Sequence, residues 1–125
     1  MSESKEQQFW NAARAGDLSV VQNLTTDTTL DINWQGFGCT PLNIACFDGR
    51  ASVVQFLLAL TAVEVNKPND NGFTPFFFAC QQGHRDVVSL LLADTRIDVN
   101  KSQSQGGTPF YIACEQGHSC CFWLT

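Results

Sequence analysis

The side chains in this sequence best suited to chemistry are its six cysteines and two histidines. Four of these eight lie together near the C-terminus: Cys114, His118, Cys120 and Cys121. Thiolates and imidazole at such close spacing are the donor set of a zinc site. The rest of the chain gives them another reading. Cys46, Cys80 and Cys114 each follow an alanine at intervals of 34 residues, and His84 and His118 each follow a glycine at the same interval. A residue that recurs in register is set by packing or by turn formation, so no metal and no cofactor is expected. Disulfides are not expected either, because helices stacked side by side place equivalent Cα atoms about 10 Å apart, beyond the reach of an S–S bond. Cys39 stands outside the register and is expected to be the exposed, reactive thiol. Neither histidine has a setting of its own, and no phosphate-cradling glycine loop is present. Gly36, Gly38 and Gly106-Gly107 read as turn residues. No catalytic residue is assigned.

The elements that position these side chains are repeats. Thr40-Pro41-Leu42, Thr74-Pro75-Phe76 and Thr108-Pro109-Phe110 recur 34 residues apart, each followed by Ala-Cys and then glycine at Gly49, Gly83 and Gly117. An N-terminal copy appears as Ala12-Ala13 before Gly16. Proline's fixed φ and missing N–H suit the first turn of a helix, and the glycine closes it, so each copy predicts a short first helix with a small inner face. A second helix follows, with apolar pairs at Val53, Val54, Leu57 and Leu58 and again at Val87, Val88, Leu91 and Leu92. Val20, Val21 and Leu24 repeat the pattern more weakly, as in a capping repeat. Leu30-Asp31-Ile32-Asn33, Val63-Glu64-Val65-Asn66 and Ile97-Asp98-Val99-Asn100 then alternate at the strand period of two and lead into turn-rich, hairpin-like fingers.

These landmarks together resemble the ankyrin repeat family, whose Thr-Pro-Leu-His-x-Ala signature, Gly-His step and Val-Asn step are matched or nearly matched here. The expected fold is an all-α repeat solenoid of about three and a half repeats. Residues 1–39 form a capping repeat, 40–73 and 74–107 form full repeats, and 108–125 form an incomplete one, all within one domain. Three features depart from the family. Each copy carries one extra residue between second helix and finger, and the usual glycine there is replaced by Ala59-Leu60-Thr61-Ala62 and Ala93-Asp94-Thr95-Arg96. The signature histidine becomes Asn43, Phe77 and Tyr111, so its hydrogen bond is either lost or remade. At the C-terminal end, Cys120 and Trp123 replace the polar Asp86 and Ser89 of the preceding copy. The resulting apolar end reads as truncated, or as a self-association surface of Cys120, Phe122 and Trp123.

Composition narrows the partners. The formal net charge is −5, with acids spread along both halves, which offers nucleic-acid phosphates little. No stretch has the length and apolarity of a membrane span or a signal peptide, and the chain reads as cytoplasmic or nuclear. The resemblance implies a non-catalytic module that holds a protein partner with its finger tips and the concave surface of its first helices. The alternative is a segment of a longer array, or a unit that self-assembles through its apolar end. Carried over by register, the finger positions are Trp34, Gly36, Phe37 and Cys39, then Asp70, Asn71 and Phe73, then Ser104, Gln105 and Gly107. The concave helix positions are Phe47 and Asp48, Gln81 and Gln82, Glu115 and Gln116, with Arg14 and Ala15 in the cap. Phe37 and Phe47 are expected to be the anchors because aromatic side chains dominate interface energetics. Phe73 either joins them or packs one finger on the next. Asp48, Asp70 and Glu115 predict a partner surface that is basic or of mixed charge.

Overall fold

A computed structural model describes residues 3–99. Within them six helices follow in order: α1 (Lys5–Ala15), α2 (Leu18–Leu24), α3 (Pro41–Phe47), α4 (Ala51–Leu58), α5 (Pro75–Gln82) and α6 (Arg85–Leu92). The Thr-Pro steps act as the sequence implies. Thr40 and Thr74 accept hydrogen bonds on their hydroxyls from Asn43 N and Phe77 N, at 3.1 and 3.2 Å, and proline occupies the first helical position of α3 and α5. Ser4 caps α1 in the same way. At the other ends, Gly16 and Gly83 take the left-handed conformation (φ 77° and 71°) that closes α1 and α5.

Helices α1, α3 and α5 pack in one layer and α2, α4 and α6 in a second, each pair also packing on its own partner. Ala13, Ala45, Cys46, Ala79 and Cys80 are wholly inaccessible, so the first layer closes on small side chains. Val53, Val54, Leu57, Val87, Val88 and Leu91 fill the space between the layers. Val20, the counterpart of Val53 in the first copy, is 38% exposed, because α2 has a second-layer neighbour, α4, on one side only.

The segments after the second helices depart from the strand pattern. Among the described residues the one β feature is an isolated bridge between Gly36 and Cys39. Val63 and Val65 are buried and Glu64 is exposed, as alternation requires, but the backbone gets there through turns, with Val63 N donating to Leu60 O and Lys67 N to Glu64 O. The same i to i−3 bonds end α4 and α6 without a left-handed glycine: Leu60 N to Leu57 O, and Asp94 N to Leu91 O. Ladder bonds are replaced by asparagine side chains. Asn33 donates to Ala62 O at 2.9 Å and accepts from Glu64 N at 2.9 Å, and Asn66 repeats this with Arg96 O at 2.7 Å and Asp98 N at 2.8 Å. Each asparagine therefore ties its repeat to the next.

At Asn43 the hydrogen bond of the family's histidine position is remade. Asn43 is fully buried, accepts from Thr40 N at 2.9 Å and donates to Lys67 O at 3.0 Å, so it completes a capping box on α3 and pins the base of the next finger. Phe77 fills the same position in the next copy with ring contact, stacked on Phe73 at 4.8 Å. Asn43→Ala leaves the Thr40 donor and the Lys67 acceptor without protein partners and is expected to destabilise by about 2–3 kcal/mol, whereas Asn43→His retains most of that. Urea denaturation of the two variants measures the difference, and a loss under about 1 kcal/mol for the alanine variant contradicts the assignment.

Candidate functional site

The first finger is built on a tight two-residue turn. Six residues separate Asn33 from Thr40, against seven between Asn66 and Thr74. Gly36 and Cys39 exchange both backbone hydrogen bonds, at 2.8 and 3.0 Å, leaving Phe37 and Gly38 as a two-residue loop with φ of 52° and 78°. Two successive left-handed residues make the turn of a tight hairpin, where Asn, Asp and Gly are relaxed and a phenylalanine is strained by about 1 kcal/mol. Phe37 is the one non-glycine residue with positive φ among those described. Its ring is 85% exposed and lies 5.3 Å from the ring of Trp10.

The finger rests on Trp10, whose indole N–H donates to Cys39 O at 3.0 Å. Gly36 is buried beneath Trp34 and Trp10, and a Cβ there would sit 2.8 Å from the Trp34 ring. The second finger holds the other side: Asp70 N donates to Gly38 O at 3.0 Å and the Gln35 amide donates to Pro68 O at 3.3 Å. Asn69 folds that second finger by accepting from Asn71 N and Phe73 N.

From the finger, the exposed surface runs along α1 to the ends of the first helices. Arg14 lies over the Trp10 ring at 6.0 Å, one helical turn beyond it. Arg14, Asn11 and Ala15 line an open groove of about 460 Å³ with Asp48 and Arg50. Arg50 Nε donates to Arg14 O at 2.9 Å, and in the next repeat His84 Nε2 donates to Phe47 O at 2.8 Å, so each side chain closes the C-terminal end of the preceding repeat's first helix.

The sequence-derived positions thus fall into groups. Trp34, Gly36, Phe37 and Cys39 come together with Asp70 at the paired fingers, while Asp48 comes together with Arg14 and Ala15 in the groove. Phe47 stands apart from both, 37% exposed, with its edge on Phe78 at 5.4 Å. Gln81 is half-buried and Gln82 exposed at the end of α5, and Asn71 is exposed on the second finger. Two expectations change, for Gly36 and Cys39, and Phe73 takes the packing side of its two readings. Gly36 is buried support, not contact surface. Phe73 packs, half-buried, on Phe77 and Phe78. Cys39 is half-buried rather than exposed, with the Asn69 amide 3.9 Å from its sulfur, and its burial pushes the thiol pKa upward. Ser104, Gln105, Gly107, Glu115, Gln116, Cys120, Phe122 and Trp123 lie outside the described residues, as does the cluster around His118.

Trp10 was missed, although register could have found it. It lies six residues before Gly16, as Asn43 and Phe77 lie six before Gly49 and Gly83, and it is the N-terminal copy's member of the histidine position. Among the described residues no group of His, Cys, Asp and Glu side chains is arranged to hold a metal ion, and no helix is long and apolar enough to cross a membrane.

Stacked helix pairs joined by fingers, with surface residues that vary over a fixed frame, define a helical repeat solenoid. Residues 9–103 and 63–125 match the family model for ankyrin repeats in three copies, and the chain belongs to the ankyrin repeat family. Comparison with curated proteins gives no match. Ankyrin repeats are in general protein–protein interaction modules and typically not enzymes.

The thiols offer a direct check of this geometry. At pH 7.5, iodoacetamide should alkylate Cys39 more slowly than a cysteine in an unfolded peptide, because the raised pKa lowers its thiolate fraction, and Cys46 and Cys80 should react only on unfolding. Mass spectrometry of the individual peptides over time reads this out, and a Cys39 rate equal to that of the free peptide contradicts it.

Proposed function

We propose that this protein captures a partner protein through its first finger and the adjoining concave surface of α1 and α3, with Phe37 as the anchor, and that it carries out no chemistry of its own. The observation that carries this reading is a large ring, 85% exposed, on a left-handed residue. Exposed as it is, the ring stabilises the isolated fold little, and asparagine or glycine would relax the backbone there. Strain kept for no evident gain in stability supports a role in binding. Aromatic rings on a rigid support are the usual anchors of protein interfaces. Phe47 supplies a second apolar contact further along the concave face.

The charges around these rings favour a partner of mixed surface. Asp70 sits at the joined fingers, and Asp48 shares its groove with Arg14 and Arg50. No bound nucleic acid or membrane is needed to account for any of them. The alternative of self-association through Cys120, Phe122 and Trp123 rests on residues outside those described, and no described feature favours it.

The test is partner capture by the full chain and by three variants matched for stability. Phe37→Asn keeps the tight turn and should cut capture at least tenfold while its melting temperature stays within about 4 °C of the parent. Phe47→Asp should weaken capture less, and Val20→Ser, on α2, should not change it. Undiminished capture by Phe37→Asn would overturn the finger as the binding site.

A further inference from the structure

Among the cations of the described residues, two stand apart from the rest. Lys5 pairs with Asp27 at 3.2 Å, Lys67 with Glu64 at 3.5 Å and Arg96 with Asp94 at 2.7 Å, and Arg85 is also partnered. Arg14 and Arg50 have no carboxylate at ion-pair distance among the described residues, and both line the groove between the ends of α1 and α3. Asp48 lines it too, paired with neither, which leaves the groove one positive charge in excess. Arg14 is fixed from one side by the Trp10 ring, and Arg50 is fixed through its Nε by the Arg14 carbonyl, which leaves its terminal nitrogens uncommitted.

Resting on the finger reading above, we infer that the groove holds a single carboxylate of the partner, presented by an extended segment whose apolar side chain seats against Phe37. Guanidinium groups prefer carboxylates because their N–H forks match the two oxygens, and a monoanion balances the groove's excess charge. The spacing is that of a peptide. Trp10 lies 5.3 Å from Phe37 and 6.0 Å from the Arg14 guanidinium, so the anchor and the cation are within about 11 Å, three residues of extended chain. The recognised element is therefore an apolar residue with Asp or Glu no more than about three positions away on either side. Asp48 on the groove wall disfavours a second negative charge in the same place and a lone basic side chain meets two arginines there.

The test uses the full chain labelled with nitrogen-15 and three probes: acetyl-Leu-Ser-Ser-Glu-amide and the same peptide ending in Gln or Lys. Titration is followed at the indole N–H of Trp10. The Glu peptide should bind at least about fivefold more tightly than the Gln peptide, and the Lys peptide more weakly still. Arg14→Gln, an exposed change, should erase the difference between Glu and Gln peptides without moving the melting temperature, whereas Phe37→Asn should weaken all three alike. Equal binding of Glu and Gln peptides to the parent chain, still weakened by Phe37→Asn, would overturn the carboxylate site and leave the finger standing. Tighter binding of the Lys peptide, or no shift with any peptide, would also overturn it, with partner capture then deciding the finger reading separately.

Discussion

Everything in this structure depends on how closely the first helices approach one another. Ala45 and Cys46, and again Ala79 and Cys80, are fully excluded from solvent, and larger side chains at those positions would drive α1, α3 and α5 apart. Because the gap is narrow, the finger preceding each first helix is carried to within hydrogen-bonding reach of its neighbour, and Asp70 N can meet Gly38 O across the boundary. Cys46 and Cys80 are thus small contacts that set the pitch of the stack. Burial pushes the Cys46 thiol pKa upward, with Cys80 close enough to add to the effect.

Polar closure between repeats is handled by residues that recur. Asn33 and Asn66 bridge the loops at one edge of the stack, and Arg50 and His84 close the first helices at another. The side chains of Phe37, Arg14 and Phe47 make none of these bonds, although Arg50 lines the same groove as Arg14. That separation leaves Phe37, Arg14 and Phe47 to vary without disturbing the interfaces between repeats, which is what a one-dimensional array of near-independent units permits.

How much of this was legible in the sequence depends on whether a residue's environment is local. Thr40, Pro41 and Gly16 act within one helical turn, and their roles were readable from the text alone. Val63-Glu64-Val65 misled because a period of two records which side chains are buried and not which backbone bonds bury them; turns give the same burial as a strand. Cys39 misled for a different reason: its shielding comes from Asn69, on the following finger. The finger positions Trp34, Phe37 and Asp70 were picked by register, yet the strained turn under Phe37 was not visible, since nothing about a Gly-Phe-Gly step fixes the hand of its backbone. Trp10 was hidden only by the weakness of the first copy's signature.

The two-residue turn under Phe37 also bears on how fast and how selectively binding can occur. A loop of many residues must surrender its conformational freedom when a partner arrives, whereas this ring has only its own side-chain torsions to settle, with the backbone already held by two hydrogen bonds and the indole beneath. Little entropy is left to lose at the contact. Partners that differ in fit would then differ chiefly in how long they remain bound, not in how readily they dock.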